Sequence, residues 1–299
     1  MAQSYSISPI VQIEFEQAWE QRLQQMGSLL LSRVKRVTLN GYVKRITQLG
    51  SGEMSEITGR SQASNPDNSD LFIRWLRSRK FQRTTWIDEW DPEEIGMLPD
   101  PQGPHMEQHV MAYGRKCDAV IRDALGGNAI TGEDQSTLTA LPSGNIIAKD
   151  YVAKGSAVTS GLTFAKVAQA KYLLDHNKVP KTGRTFVCSS QEEQDLIRDV
   201  DELKNSRYTQ VQPITDGTLD GRTWMGFNWV TGYEDLTVVA SVRQCYAFQK
   251  DFVAFGDGQR RASVDLLPAQ NHSTQVRTRA RMNATRTQEE AVIQILCSH

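Results

Sequence analysis

GPHMEQHVMAYGRKCDAVIRDALGG, Gly103 to Gly127, is the most regular stretch of this 299-residue chain. Pro104 opens it, where a missing backbone N–H is harmless, and Met106, Val110, Tyr113, Cys117, Val120 and Ala124 recur at alternating spacings of four and three. The pattern predicts one helix over 104–125, about 33 Å long, with those apolar positions as its packing line. Gly126-Gly127 is the stop signal.

Downstream, residues 128–160 are polar and rich in turn formers, with a short strand expected at Asn145–Ala148. Phe164, Val167, Ala168, Lys171 and Leu174 then mark a helix that ends before Pro180. Arg184–Cys188 reads as a strand leading into a helix, with Ser190 and Glu193 in capping-box spacing. Gly221–Val230 reads as a turn into an aromatic strand, and Thr237–Ala240 as another. The last third is β-rich: Cys245–Phe248, Phe252–Phe255, Gln275–Thr285 and Ala291–Cys297. Within it Arg277, Arg279 and Arg281 alternate with Val276, Thr278, Ala280 and Met282, so period two puts three guanidinium groups on one strand face.

Upstream, Pro9 follows the N-cap candidate Ser8, and Val11, Phe15, Trp19, Leu23, Met26 and Leu30 predict an amphipathic helix over 10–32. Its apolar face needs something to lie on, either its own domain or a neighbouring subunit. From Val34 to Asp91 the helical period gives way to short β-prone pieces at 37–39 and 42–47, separated by glycines. The tip SGEMSEITGRSQASNPDNSD (51–70) is too polar to enter a core and should project. The returning limb mixes Arg74, Arg77, Arg79, Lys80 and Arg83 with Phe72, Trp75, Phe81, Trp86 and Trp90. Arginine among aromatics is the composition of a protein interface, and also of a single-strand nucleic-acid platform.

Charge narrows the choice. With 34 Lys+Arg against 35 Asp+Glu, the chain lacks the basic excess of a duplex or membrane-surface binder. Its 39% hydrophobic content is enough for a real core. The start MAQSYSISPIVQ has no secretory pattern, and no apolar run approaches the ~18 residues of a bilayer span. Cys117, Cys188, Cys245 and Cys297 are widely separated, so reduced thiols are expected.

Catalytic and metal motifs fail on inspection. His105 and His109 enclose Glu107, but the order His-Met-Glu-Gln-His puts the glutamate one place too late for a zincin. Gly217, Gly221 and Gly226 precede no phosphate-loop lysine. Asp216, Asp220, Asp235, Asp257 and Asp265 lack calcium-loop spacing, and there is no GxSxG elbow for Ser160 or Ser189. No catalytic, cofactor or metal residue is assigned, and the expectation is a protein that is not an enzyme.

The order of these elements resembles the major capsid proteins of tailed bacteriophages, whose fold is shared with herpesvirus shells and encapsulins. The resemblance implies an α+β chain in five parts. They are an N-terminal arm (1–35), an extended β-hairpin loop (36–92) and a peripheral domain (93–160) with its spine helix at 104–125. An axial α/β domain (161–244) and C-terminal strands returning to the peripheral domain (245–299) complete the set. It implies hexamers and pentamers in an icosahedral shell around double-stranded DNA, built in the bacterial host cytoplasm, with portal and scaffolding proteins, and in some members decoration proteins, as partners and no membrane. The arm-like helix starts close to Met1, which implies a scaffolding protein encoded separately. Expected intersubunit contacts are Arg74, Trp75, Arg77, Arg79, Lys80, Arg83, Phe15 and Trp19. Glu16-Glu20 and the acidic run 88–94 are candidate partners for the arginines, and a shell defect is expected on replacing Arg74, Arg77 and Arg79 with alanine. Lys44 and Lys80 lie near the extended loop, but no Lys–Asn crosslink is expected. An encapsulin-like nanocompartment and a single-stranded nucleic-acid-binding protein are the alternatives.

Overall fold

The computed structural model describes residues 25–52, 54, 56, 60, 70–87, 102–153, 155–203, 219–270 and 272–298. The long helix, α1, spans Gln102–Gly126. It buries Cys117, Asp118, Val120, Ile121 and Leu125 against β14 (Ser273–Arg286) and β15 (Val292–Ser298). The expected packing line departs from this near the helix start: Met106 and Tyr113 are half-buried, and Val110 is 64% exposed. His109 takes the inward place, because this part of the helix lies over β4 (Arg79–Ile87) and β14. Its ring nitrogens meet Thr85 and Thr278 of those two strands.

Gly126 and Gly127 stop the helix by close approach. A Cβ on Gly126 would run into the Tyr246 phenol, and one on Gly127 would sit 2.5 Å from the Asp123 carbonyl oxygen. The exposed carbonyls of the last turn are met by Arg286, a fully buried side chain whose Nη1 donates to Ala124 O (3.0 Å) and Leu125 O (2.7 Å). A cation is well placed at this end of a helix dipole.

The described strands form three sheets. The first has the order β1-β13-β14-β4, with β1 at Lys35–Thr38 and β13 at Val253–Leu267. The second is β2-β3-β5-β6: Val43–Leu49, Leu71–Arg77, Ala129–Thr131 and Thr137–Thr139. The third has seven strands. Its path runs β7 (Ile146–Ile147), β15, β12 (Val242–Gln249), β8 (Arg184–Val187), β10 (Phe227–Val230) and β9 (Thr223–Trp224), with β11 (Val238–Val239) on β12.

The helices α2 (Phe164–His176) and α3 (Ser190–Leu203) complete that third unit. The capping box of α3 lies one residue earlier than the sequence spacing suggested: the Ser189 N–H donates to Glu192 Oε2 at 3.1 Å. Between β9 and β10, Met225 and Gly226 both have positive φ, as a two-residue hairpin turn requires.

Two readings change. The 245–299 segment does not return as one block, because β12 and β15 are almost wholly buried and need partners on both edges. They pair with each other, β12 also with β8, while β13 and β14 form a hairpin in the other sheet. The predicted N-terminal helix does not reach Leu31 or Ser32 as α-helix, since 25–30 is irregular with Gly27 at φ +82° and Leu31–Arg33 is a 3-10 turn. Residues 10–24 of that helix, with Phe15 and Trp19, lie outside the described residues, as do most of the 51–70 tip and the acidic run 88–94.

Candidate functional site

β2 and β3 form a hairpin registered from Val43↔Arg77 to Leu49↔Leu71, with the Gly50 N–H continuing the ladder to Asp70 O at 2.7 Å. Its outer end presents Leu49, Leu71 and Phe72, exposed by 70%, 60% and 53%. Apolar groups at the end of a two-stranded element have no core of their own to enter.

The base of the hairpin is fixed by the side chains expected to reach other subunits. Arg74 pairs with Glu289 at 2.5 Å, both largely buried, and its Nε donates to Thr287 O at 3.2 Å. The Trp75 indole donates to Gly132 O at 2.5 Å, and Arg77 to Gln135 O at 3.1 Å. Arg83 donates to Gln108 Oε1 on α1 at 2.7 Å. Arg79 lies over the Phe81 ring at 5.4 Å, and Lys80 is exposed with no charged or hydrogen-bond partner among the described residues. Of the described set, then, Arg74, Trp75, Arg77 and Arg83 hold their own chain together, while Arg79 and Lys80 remain outward.

The same geometry argues against a nucleic-acid stacking platform. Trp75 is tied by its indole N–H, and the Phe81 ring is covered by Arg79 and by Lys116 at 4.9 Å. β3 and β4 also belong to different sheets: the limb crosses at Ser78, whose N–H donates to Tyr42 O at 2.7 Å. Its aromatics therefore do not share one surface.

The point where the N-terminal segment meets α1 is a further built feature, which sequence reasoning missed. Asp118 is fully buried and its two oxygens accept from Leu29 N (3.0 Å), Leu30 N (3.0 Å), Gln25 Nε2 (2.6 Å) and the Ser28 hydroxyl. One turn earlier on the helix, Gly114 lets Gly27 approach so closely that a Cβ would lie 2.5 Å from the Gly27 carbonyl carbon. An acid at 118, inside the buried line of a helix, was the available signal.

Lys166 is the other missed residue. Its ammonium, fully buried, shares its three N–H donors among four carbonyls: Lys149 (2.9 Å), Ser160 (2.8 Å), Gly161 (2.8 Å) and Leu296 (3.1 Å). It joins α2, the 149–161 loop and β15.

Nothing in the described residues assembles a reactive centre. No group of three or more His, Cys, Asp or Glu could hold a metal ion there. His109 uses both ring nitrogens on threonine hydroxyls, and burial, then Arg83 and His105, hold its pKa below the usual value. The four cysteines are free and buried. Burial pushes the Cys117 thiol up to about 11 and Cys188 well above the usual range, which suppresses the reactive thiolate. Asp220, Asp257 and Asp265 are engaged by the Thr231 N–H, Arg260 and Arg277. No helix among the described residues is long and apolar enough to cross a membrane.

Comparison with known proteins follows the architecture. The chain superposes on the capsid of Ralstonia phage GP4 with a TM-score of 0.73 at 11% identity, covering 99% of this chain and 98% of that one. A chain of Mycobacterium phage Che8 gives 0.68 at 13% identity, covering 97% and 98%. The cyanophage Pam1 capsid asymmetric unit gives 0.67 at 12%, covering 99% and 98%. At such identities the likeness is one of fold, and it runs end to end. No curated protein matches the sequence. The phage capsid protein family matches residues 7–299, so this chain belongs to that family and its role is that of a major capsid protein.

Proposed function

We propose that many copies of this chain self-assemble into hexamers and pentamers, which close into the icosahedral head of a tailed bacteriophage around its double-stranded DNA. The observation that carries the reading is the β2–β3 hairpin: a rigidly anchored base and an exposed apolar end, which an adjacent subunit would cover. In this reading the hairpin is the extended loop, α1 the spine helix, and the seven-stranded unit the axial domain. Portal and scaffolding proteins are the expected partners, with decoration proteins added in some members of the family, and assembly takes place in the host cytoplasm. The role is structural, and the shell is held by many modest contacts in place of any catalysed step.

The test is negative-stain microscopy with size-exclusion chromatography of the chain expressed alone and with its neighbouring genes. Closed shells or capsomer rings are expected. A compact monomer under both conditions would overturn the proposal, and shells enclosing a protein cargo in place of DNA would redirect it to an encapsulin-like compartment.

A further inference from the structure

The β13–β14–β4 sheet has two unlike faces. Toward α1 it presents Val276, Thr278, Ala280 and Met282. The opposite face gathers Lys80, Arg261, Arg279 and Arg281, because the register sets Arg281 against Lys80 and Arg279 against Arg261. Residues directly opposite in such a ladder lie ~5 Å apart and same-face neighbours along a strand ~7 Å apart. The four cations therefore form one cluster, rimming a depression of about 460 Å³ that is also lined by Gln82 and Gln259.

All four are exposed, and none has an acidic partner among the described residues. The acid on this face, Asp265, is already paired with Arg277 at 3.6 Å. Like charges at such spacing repel, so a ligand that supplies several carboxylates or phosphates is strongly favoured.

The charge balance of the chain says which. A net charge of −1 with four positive charges on this face leaves −1 − 4 = −5 on the rest of the molecule. The densest part of that negative charge is Asp88-Glu89-Trp90-Asp91-Pro92-Glu93-Glu94, five carboxylates in seven residues with no base among them. A chain that is neutral in sum but polar in distribution attracts itself and has no long-range pull on nucleic acid.

Connectivity then favours another copy as donor. β4 ends at Ile87, opposite Thr274, and Lys80 lies seven residues back, ~23 Å along the strand. The next described element, α1, lies on the other face of the sheet. To reach the cluster of its own copy the run would have to double back over its full extended length, about 23 Å for seven residues, whereas a copy placed head to tail can present it directly.

We propose that this face is an electrostatic docking site for a second copy of the chain, which presents to it the carboxylate-rich stretch Asp88 to Glu94. The proposal rests on the reading that copies assemble. It adds which surfaces meet, and it assigns Lys80, Arg261, Arg279 and Arg281 to the contact in place of Arg74 and Arg77.

The probe is a fluorescent peptide of residues 86–96, titrated into the full-length chain and followed by anisotropy, with a short DNA duplex as a second probe. Arg279→Glu with Arg281→Glu is the test variant; both side chains are exposed, and circular dichroism checks its fold. The expected results are peptide binding at low salt, at least tenfold weaker binding to the variant, and loss in 1 M NaCl, where the screening length is about 3 Å. Absence of peptide binding, or equal binding to the variant, overturns the proposal. So does a duplex that binds more tightly than the peptide and is lost in the same variant, which would assign the face to nucleic acid. Microscopy separates this from the capsid reading: normal shells from the variant sink the docking site alone, and a monomeric parent that still binds peptide sinks the shell while keeping the site.

Discussion

Replacing Asp118 with asparagine is the sharpest perturbation the structure offers, because it preserves shape and inverts one hydrogen-bonding group. Oδ1 accepts from Leu30 N and the Ser28 hydroxyl, and Oδ2 from Leu29 N and Gln25 Nε2. Whichever way an amide is turned, its NH2 faces one backbone N–H and one side-chain donor. A buried backbone donor left without a partner costs about 1–3 kcal/mol, and removing charge from the surviving bonds adds about 1 kcal/mol, so ~2–4 kcal/mol is expected. The loss should be local, because residues 25–34 can lift from α1 without unfolding the seven-stranded unit. At 1.4 kcal/mol per tenfold, amides of that segment should exchange ~30- to 700-fold faster. Hydrogen exchange by mass spectrometry measures this directly, with β8 and β12 as the internal control. Protection of 25–34 within threefold of the parent would refute the view that the carboxylate holds the segment, and equal loss in β8 would refute its locality.

Lys166→Met removes the donor from four carbonyls at once and should lower stability by ~2–4 kcal/mol; a thermal melt by circular dichroism that moves by less than a degree would show that the ammonium contributes nothing. Arg74→Met leaves Glu289 buried and unpaired, for a loss of ~3 kcal/mol seen as faster proteolysis within residues 43–77, while Arg79→Ala should leave cleavage there unchanged. His109 is held neutral by burial, with Arg83 and His105 adding to the effect, so its folded pKa lies below the unfolded value of about 6.5. The unfolded chain therefore takes up the proton first, and stability present above pH 6.5 is lost as pH falls through the folded value. Urea midpoints of the parent should decline from pH 7 to 5, and those of His109→Gln should decline less; parallel declines would exonerate the histidine.

How far the sequence was legible depended on whether a residue's role was local. The long helix, the β8–α3 unit and the alternation in β14 follow from period and caps, which neighbours along the chain set by themselves. The capping box was found one residue out because two serines, Ser189 and Ser190, each precede a glutamate by three, and only the packed strand decides between them. Val110 was misplaced because the helix crosses from one packing partner to another along its length, which changes the inward position from 110 to 109. Asp118, Lys166 and Arg286 escaped notice for a different reason. Their partners are backbone groups 88 to 162 residues away for Asp118 and Arg286, and up to 130 away for Lys166, and no spacing rule records such pairs.

The arginine-rich limb shows the limit most clearly, and it bears on how assembly should be probed. Composition treats Arg74, Arg77 and Arg79 as one set, since all three recur among aromatic and apolar residues in one strand-like run. Folding divides them: Arg74 enters a buried pair with Glu289, Arg77 ties down the β5–β6 turn, and Arg79 stays on the surface beyond the Ser78 crossing. A triple alanine variant would therefore loosen the hairpin base before it removed any contact between copies, and a missing shell would report a fold defect. Charges that reach another subunit must be those the chain has not already used on itself. On that criterion Lys80, Arg261, Arg279 and Arg281 are the residues to alter, since each is exposed and removing any of them leaves no buried carboxylate behind.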